Sequence, residues 1–282
     1  MAFNESTSET TAAQPRKCGR FYLQELINSG GMAEIWVATD QDGATYAMKL
    51  MHKKFRFDFT ARKRFVRGCD ILSKIHNHEH VIGYIEHGKL EGTLYLLMEY
   101  VEASNLKLLF ARQDEILLEN VASILIDSAV ALEHVHDSGF MHLDFKPENI
   151  LVTRNAGVRL VDFDLALPKP DKPTKFSKNP GTPAYMSPQQ LQREAFDARA
   201  DIFSFGVMAY ELLTYEKPFQ GNNAEEILRA QLSGDLAPLT SLNPEIPPVL
   251  EKIVLKCLQV DPEKRYPYMS VVVRDLQQAL YV

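Results

Sequence analysis

The hydrophobic pattern of this 282-residue chain changes period near Tyr100, and that change constrains the fold more than any other feature. Between Phe21 and Tyr100 the pattern is mostly that of half-buried β-strands, interrupted by one helical stretch at about 60–75. Beyond Tyr100 the apolar residues recur at helical spacing. A small β-rich part followed by a larger helical part predicts an α+β protein with two lobes and a cleft between them.

The same pattern predicts the individual elements. In the first lobe, about 18–100, we expect strand pairs at 36–39 with 45–50, and at 81–86 with 94–100. In the second lobe, about 101–282, we expect short strands at 150–153 and 158–161 and an irregular segment over 167–188. Helices are predicted over 121–135, 198–213, 224–232, 248–258 and 269–280. Residues 1–17 are rich in Ser and Thr and poor in apolar side chains, which predicts a disordered tail.

Composition excludes several classes of protein. The chain has 31 Lys plus Arg and 37 Asp plus Glu, and a net charge of -6 argues against a dedicated nucleic-acid binder. Its three cysteines lie far apart, so neither a disulfide framework nor a zinc site is expected, and a reducing cytoplasm fits. No apolar run approaches the roughly 18 residues of a membrane span. We therefore expect a soluble cytoplasmic protein, and its oligomeric state stays open.

The residues that carry chemistry are concentrated in one segment. His142-Leu143-Asp144-Phe145-Lys146-Pro147-Glu148-Asn149 is followed, thirteen residues after Asn149, by Asp162-Phe163-Asp164. This arrangement resembles the catalytic loop and the metal-binding loop of protein kinases. Further residues stand in the order that this family requires: Lys49 on an upstream strand, Gly181-Thr182-Pro183-Ala184-Tyr185 downstream, and Asp201 at the start of a helix.

The resemblance covers about residues 21–280 and implies a bilobal protein kinase-like fold. The segment Gly30-Gly31-Met32-Ala33 is similar to the phosphate-covering loop of bacterial serine/threonine kinases. By this resemblance the chain transfers the γ-phosphate of ATP to a hydroxyl of a protein substrate, with Mg²⁺ as cofactor. The alternative is a pseudokinase, a module that binds nucleotide or protein with little or no phosphotransfer.

The resemblance also assigns roles to single residues. Asp144 orients the substrate hydroxyl and accepts its proton, and Lys146 beside it is typical of serine/threonine kinases. Asn149 and Asp162 provide oxygen ligands for Mg²⁺. Thr182 belongs to the substrate loop. The nucleotide contacts implied by the resemblance are Ile27, Gly30, Gly31, Ile35, Ala47, Lys49, Met98, Glu99, Val101, Asn105 and Leu151.

The sequence departs from the family at the helix that follows Lys49. Protein kinases pair this lysine with a glutamate on that helix, and alignment of the helix places Gly68 at the glutamate position. Asp70 lies about 200° further around the helix and so points elsewhere. Two alternatives are a shift of the helix register, or replacement of the glutamate by another acid such as Glu34.

Other departures lie in the loops. Asp164 stands where the metal-binding loop usually has glycine, so an additional carboxylate lies near the proposed cation. Leu143 replaces the arginine that receives an activation-loop phosphate in many kinases. We therefore expect a basal activity that does not depend on phosphorylation of Thr174, Ser177 or Thr182. Gln189 replaces a glutamate that normally pairs with an arginine, here Arg265, so a hydrogen bond in place of the ion pair is expected.

These departures keep two function classes open. Retention of Lys49, Asp144, Asn149 and Asp162 favours an enzyme, whereas Gly68 and Asp164 motivate the pseudokinase alternative. A third possibility, phosphorylation of a small molecule, is disfavoured by the segment 181–185, which resembles a peptide-substrate loop.

Overall fold

The computed structural model describes residues 16–176 and 181–280. The chain divides into two compact units, Met1–Phe59 with Ile85–Tyr100 and Thr60–Tyr84 with Val101–Val282. We call them the strand unit and the helical unit. Residues 1–15 of the predicted tail lie outside the described residues, and Arg16 and Lys17 belong to a strand.

The strand unit is built on one six-stranded sheet. Its strands lie in the order β1-β2-β3-β4-β6-β5. They are β1 (Arg16–Cys18), β2 (Phe21–Ser29), β3 (Ala33–Thr39), β4 (Thr45–Met51), β5 (Tyr84–Leu90) and β6 (Thr93–Glu99).

The β3–β4 hairpin follows the predicted turn. The carboxylate of Asp40 accepts hydrogen bonds from the backbone N–H groups of Asp42 (3.0 Å) and Ala44 (2.9 Å), which closes the turn and sets the strand register. One face of the sheet is apolar because alternate residues of each strand point to it. Its buried members are Cys18, Phe21, Leu23, Ala38, Met48, Leu50, Tyr95 and Leu97.

The predicted strand at 81–86 begins later in the structure, at Tyr84. Val81 instead forms an isolated parallel bridge with Leu160 in the helical unit. The N–H of Ile82 donates to the carbonyl of Leu160 at 3.1 Å, and that of Leu160 donates to the carbonyl of His80 at 2.8 Å. These backbone bonds use the groups that would otherwise extend the strand.

The helical unit contains small sheets and most of the helices. A three-stranded sheet has the order β10-β9-β7, and β8 with β11 and β12 with β13 form two-stranded pairs. The strands are β7 (Ala103–Asn105), β8 (Phe140–Met141), β9 (Ile150–Thr153), β10 (Val158–Leu160), β11 (Leu167–Pro168), β12 (Thr174–Lys175) and β13 (Ala195–Phe196). The helices are α1 (Phe59–Ile75), α2 (Leu106–Arg112), α3 (Glu115–Asp137), α4 (Pro188–Gln192), α5 (Arg199–Thr214), α6 (Ala224–Ser233), α7 (Leu239–Leu242), α8 (Pro248–Cys257) and α9 (Met269–Leu280).

The predicted helices are confirmed, and α3 is longer than predicted. Its N-cap is Asp114, whose carboxylate accepts a hydrogen bond from the N–H of Ile116 at 3.1 Å. Helix α5 is buried on nearly every side, because its sequence is apolar around its whole circumference. The short helices α2, α4 and α7 were not predicted, since each spans too few residues to show a period.

The segment predicted as irregular, 167–188, is only partly so. It contributes the short strands β11 and β12, which pair with β8 and β13. Runs of two residues carry no alternating pattern, so these pairings depend on tertiary contacts. Among the helices of the described part of the chain, none is both long enough and apolar enough to cross a membrane. The α+β class is confirmed.

Candidate active site

The predicted catalytic residues of the helical unit lie together in the loop between β8 and β9. Lys146 Nζ lies 2.7 Å from the Oδ2 atom of Asp144. The amide nitrogen of Asn149 donates to that carboxylate at 3.0 Å and to the backbone carbonyl of Asp144 at 2.8 Å. Since both partners hold the same carboxylate, its orientation is fixed, while Oδ1 stays available to a further donor.

Thr182 joins this cluster from a distant part of the chain. Its hydroxyl accepts a hydrogen bond from Lys146 Nζ at 2.9 Å and donates to Oδ1 of Asp144 at 3.4 Å. The sequence predicts that Thr182 lies in the substrate loop, and the structure places its hydroxyl beside the carboxylate of Asp144. A hydroxyl can therefore reach Asp144 Oδ1 in this arrangement.

The catalytic loop is anchored by one buried carboxylate, that of Asp201 at the start of α5. It accepts hydrogen bonds from the backbone N–H groups of His142 (2.8 Å) and Leu143 (2.8 Å) and pairs with His136 Nε2 at 2.9 Å. Burial alone would raise the pKa of Asp201, but its bond and charge interaction with His136, together with His142 and the Leu143 amide, hold the pKa below its ordinary value. The carboxylate is therefore ionised and fixes the loop backbone.

His136 is a residue that sequence reasoning missed. It lies 65 positions before Asp201, in the last turn of α3. A histidine near a helix end does not by itself indicate a partner. No local pattern connects the two residues. The pairing becomes visible only once α3 and α5 are packed together.

The metal-binding loop begins with Asp162, which has a φ of +64°. A non-glycine residue rarely adopts this left-handed conformation, so surrounding contacts must hold it. Phe163 is buried with its ring 5.0 Å from that of His142, and His142 Nε2 lies 3.2 Å from the carbonyl of Val161. The N–H of Asp164 donates to Oδ1 of Asp162 at 3.4 Å.

Gly68 has a steric reason that the sequence did not show. A Cβ atom built at this position of α1 would lie 2.9 Å from the carbonyl oxygen of Phe163 and 3.0 Å from Cα of Asp164. Real Cβ contacts are almost never that short, so α1 approaches the metal-binding loop as closely as only glycine permits. A glutamate at position 68 does not fit this packing.

The predicted alternative in which Glu34 replaces the missing glutamate is wrong for this structure. Lys49 pairs with Ile35 across the β3–β4 ladder, and Glu34 pairs with Leu50. Successive strand residues point to opposite faces, so Glu34 and Lys49 lie on opposite sides of the sheet. Glu34 accepts a hydrogen bond from Trp36 Nε1 at 2.9 Å.

Leu143 packs into an apolar cluster in place of the family's arginine. We call it the Leu143 cluster. Its buried members are Met141, Leu143, Phe196 and Ala200, with Leu165, Leu167, Phe176 and Ala198 packed against it. Three of these residues, Leu165, Leu167 and Phe176, belong to the activation segment, by which we mean residues 165–187. Apolar contacts therefore hold residues 165–176 of this segment where an arginine–phosphate pair is expected in many kinases.

The candidate phosphorylation sites differ in their surroundings. Thr174 is exposed on β12, whereas Thr182 is bonded within the catalytic cluster. Ser177 lies outside the described residues. Among the nearby basic residues, Lys169 Nζ donates to the carbonyl of His136 at 2.7 Å.

Four of the predicted nucleotide residues of the strand unit, Ile35, Ala47, Lys49 and Met98, share one face of the sheet. Lys49 pairs with Ile35 on one side and with Leu96 on the other, and Ala47 pairs with Met98. Because 47 and 49 are two residues apart, all these side chains point to the same side. Lys49 is buried. Ile27 is half exposed on β2, and Glu99 ends β6.

The loop between β2 and β3 contains Gly30 and Gly31. His52 Nε2 lies 2.8 Å from the carbonyl of Gly30, and the N–H of Gly30 donates to the carbonyl of Ala33 at 3.0 Å. Neither glycine has a positive φ, and a Cβ at Gly31 would meet nothing within 4 Å. Contacts within the described residues therefore do not require glycine at position 31.

Three further predicted nucleotide residues belong to the helical unit. Asn105 and Leu151 are direct partners in the β7–β9 ladder, and Val101 lies just before β7. The side-chain oxygen of Asn105 accepts a hydrogen bond from the N–H of Leu108 at 2.9 Å, so Asn105 also caps α2.

Gln189 and Arg265 form the predicted hydrogen bond in place of an ion pair. Arg265 Nη2 donates to Oε1 of Gln189 at 2.7 Å. Nη2 also donates to the carbonyl of Val260, while Nε and Nη1 donate to the carbonyls of Gln259 and Arg199. Burial lowers the pKa of Arg265 to about 10, with a further contribution from Arg199.

Comparison with known proteins agrees with this geometry. The family model for the protein kinase domain matches residues 21–276. A probable serine/threonine-protein kinase of Streptomyces coelicolor is 32% identical over 276 residues, which cover 95% of this chain and 41% of that protein. The serine/threonine-protein kinase PknH of Mycobacterium tuberculosis is 31% identical over 250 residues, covering 88% of this chain and 40% of the relative. PknB of Mycolicibacterium smegmatis is 30% identical over 265 residues, which cover 91% of this chain and 42% of that protein. The chain thus spans about two fifths of the length of these relatives.

Proposed function

We propose, from the premise that this chain belongs to the protein kinase family, that it transfers the γ-phosphate of ATP to serine or threonine hydroxyls of a protein. The observation that carries the proposal is the cluster of Asp144, Lys146, Asn149 and Thr182. It holds one carboxylate in a fixed orientation through Oδ2, with the Thr182 hydroxyl at the other oxygen, Oδ1.

Asp144 is the base of the reaction. Its Oδ1 atom orients the substrate hydroxyl and takes the proton as the oxygen–phosphorus bond forms and the bond from the γ-phosphorus to the bridging oxygen of ADP breaks. Lys146 and Asn149 bind the other oxygen and keep the carboxylate directed at the substrate. Lys146 also bonds Thr182, which supports a serine/threonine preference.

Asn149 and Asp162 are suited to hold Mg²⁺. Because the Asn149 amide nitrogen is used on Asp144, its oxygen is left to face a cation, and Asp162 adds a carboxylate. These are hard oxygen donors, and Mg²⁺ in phosphotransfer sites is held by one or two protein groups together with phosphates and water. The described residues contain no cluster of three His, Cys, Asp or Glu side chains able to hold a metal ion alone. The bound cation would neutralise charge on the transferred phosphate.

The remaining predicted residues serve the nucleotide. Lys49 binds phosphate oxygens, and Ile35, Ala47 and Met98 offer an apolar face to the base. The glycine loop brings its backbone N–H groups near the phosphates, which agrees with the open surroundings of Gly31. The other residues proposed to contact the nucleotide are Ile27, Gly30, Glu99, Val101, Asn105 and Leu151.

We also propose that the chain acts in the cytoplasm on protein substrates. Cys18, Cys69 and Cys257 are buried thiols that form no disulfide, which agrees with a reducing environment. The substrate loop is firmly held, since the carbonyl of Tyr185 accepts a hydrogen bond from Ser204 Oγ at 2.8 Å. The resemblance of segment 181–185 to a peptide-substrate loop favours a peptide substrate over a small molecule.

One experiment tests this function. The purified chain is incubated with Mg²⁺, γ-labelled ATP and a generic protein substrate, beside Asp144→Asn and the matched exposed control Asp235→Asn. We expect Mg²⁺-dependent label on Ser and Thr, and a loss of about 10²–10⁴-fold in Asp144→Asn only. Thermal stabilisation by nucleotide without any label transfer would support the pseudokinase alternative instead.

A further inference from the structure

Two segments of the helical unit meet through histidine side chains. Residues 76–80 follow α1, and the ring of His78 stacks on the ring of His134 in α3, with centroids 4.3 Å apart and planes 19° from parallel. The ring of His80 lies 5.5 Å from that of His78. We call these three residues the histidine cluster. Imidazole is the side chain that changes charge near neutral pH, so the contact between the two segments depends on protonation.

The hydrogen bonds of the cluster require a neutral His78. Its Nδ1 atom accepts a hydrogen bond from the backbone N–H of His80 at 3.2 Å, and a proton on Nδ1 would remove this acceptor. His134 Nε2 lies 2.8 Å from the carbonyl of Ile75 and donates to it. A protonated His78 would therefore lose one hydrogen bond and place a positive charge against the ring of His134.

Neighbouring groups act on His78 from both segments. Burial lowers the pKa of His78, and the rings of His134 and His80 lower it further, while Glu79 acts in the opposite direction. His80 Nε2 lies 3.5 Å from Oδ1 of Asp127 in α3 and 3.7 Å from the carboxylate of Glu79. Asp127 and Glu79 thus accompany His80, whereas the group stacked on His78 is another imidazole.

The backbone of the same segment holds the end of β10. The N–H of Val81 donates to the carbonyl of His78 at 3.0 Å, which closes a turn. The carbonyl of His80 accepts a hydrogen bond from the N–H of Leu160 at 2.8 Å, beside the bridge between Val81 and Leu160. Strand β10 ends at Leu160, and the metal-binding loop begins two residues later at Asp162. Displacement of this segment would therefore release the strand that leads into the loop.

We propose that the histidine cluster is a pH-sensitive latch, which fixes residues 76–82 to α3 and β10 while His78 is neutral and releases them when His78 takes up a proton. The folded chain binds this proton less readily than the unfolded chain. The stability that the latch contributes is therefore complete above the ordinary pKa of 6.5 and is lost as the pH falls through the lower folded-state pKa. The latch goes beyond the proposed function, and its test requires no phosphotransfer.

Two substitutions remove titrating rings and keep their hydrogen bonds. His78→Asn offers Oδ1 as an acceptor in place of Nδ1, and His134→Gln offers Nε2 as a donor to the Ile75 carbonyl. The matched control is His87→Asn, a histidine of β5 outside the cluster. NMR measures the titration midpoint of the His78 ring. Hydrogen exchange measures the protection factor of the Leu160 amide at about pH 7.5 and about pH 5.5, corrected for the intrinsic pH dependence of exchange.

We expect the titration midpoint of His78 to lie below 6.5 in wild type and in His87→Asn. It should rise toward 6.5 in His134→Gln, which lacks the stacked imidazole. Protection of Leu160 should fall at least about threefold between the two pH values in wild type and in the control. This fall should be at least about twofold smaller in His78→Asn, because the ring that takes up the proton is missing.

A His78 midpoint at or above 6.5 in wild type would overturn the proposal, and so would an equal loss of Leu160 protection in wild type and His78→Asn. If His78→Asn does not fold, the other variant still decides. A His78 midpoint in His134→Gln that rises toward 6.5 supports the latch, and an unchanged midpoint contradicts it.

Discussion

The catalytic loop and the activation segment are held in the helical unit by opposite kinds of interaction. A buried carboxylate, Asp201, fixes the catalytic loop through backbone hydrogen bonds of 2.8 Å at His142 and Leu143. The activation segment is held by apolar side chains in the Leu143 cluster. Hydrogen bonds to a charge are directional, whereas apolar packing fixes position with little control of angle. The loop that we propose orients the reacting groups thus has the directional anchor.

Leu143 takes part in both arrangements. Its backbone N–H belongs to the Asp201 anchor, and its side chain belongs to the apolar cluster. Its φ of +62° is unusual for a branched residue. The hydrogen bond to Asp201 and the packing of the side chain together hold this conformation. An arginine here would require a phosphate partner, whereas a leucine requires only that the cluster is assembled. The comparison therefore predicts that phosphorylation is not needed to order the segment.

Removal of the polar anchor should have the largest effect. Asp201→Ala leaves His136 and two backbone N–H groups buried without their partner, and we expect a loss of about 3–5 kcal/mol in the free energy of unfolding. Urea unfolding measures it, with Asp235→Ala as an exposed control expected within about 0.5 kcal/mol of wild type. A difference of less than about 1 kcal/mol between the two variants would contradict the anchor.

The same variant has a defined pH dependence. The pKa of Asp201 is held below its ordinary value of 3.8, so its ionised form stabilises the folded state. This stability is fully present above pH 3.8 and is lost as the pH falls through the lower folded-state value. The difference in the free energy of unfolding between wild type and Asp201→Ala should therefore decrease only in strong acid. Urea unfolding repeated at a series of pH values measures it.

Truncation in the apolar cluster should have the next largest effect. Phe196 contacts Phe176 with ring centroids 4.8 Å apart and is 4% exposed. We expect Phe196→Ala to cost about 3 kcal/mol and to expose residues 165–176 to proteolysis. Phe196→Leu keeps the apolar contact and should cost less than about 1.5 kcal/mol. Equal protease resistance in all three proteins would show that the cluster does not hold the segment.

Substitution of Gly68 by alanine should change stability less than the preceding variants. The sign of this change distinguishes two explanations of the glycine. Helix propensity alone predicts that Gly68→Ala stabilises the protein by about 0.5–1 kcal/mol. The contact with Phe163 and Asp164 predicts a loss of about 1–3 kcal/mol instead. Thermal unfolding decides between them, and a higher Tm in Gly68→Ala would refute the steric explanation of the glycine.

The smallest effect is expected at Thr174. Its side chain is exposed, and its hydroxyl donates to the nearby carbonyl of Lys172 at 2.9 Å. Thr174→Ala and Thr174→Glu should each change stability by less than about 0.5 kcal/mol and leave kcat/KM close to wild type. A marked increase in kcat/KM in Thr174→Glu would mean that negative charge, and not apolar contact, orders the segment.

Local spacing allowed the chemical residues to be predicted from sequence. Asp144, Lys146 and Asn149 lie within six positions, and the structure brings their side chains together. The strand face of Lys49 and Ala47 follows from the period of two. The exclusion of Glu34 follows from the hairpin register, which the Asp40 turn determines.

Contacts between distant residues could not be predicted in the same way. His136 and Asp201 are 65 residues apart, and Gly68 meets a loop nearly a hundred residues later. The sequence indicates at position 68 only that the family's glutamate is missing, because the identity of one residue does not show what packs against it. The same holds for Leu143, whose apolar neighbours come from β8, β13 and the activation segment.

The rate of the unphosphorylated protein tests the central comparison most directly. Phosphatase-treated protein is compared with protein carrying phosphate at Thr174 of the activation segment, as verified by mass spectrometry, under identical Mg²⁺ and ATP. If apolar packing orders the segment, the two kcat values agree within about twofold, a difference of about 0.4 kcal/mol. A rise of roughly tenfold or more on phosphorylation, at least about 1.4 kcal/mol, would contradict the account.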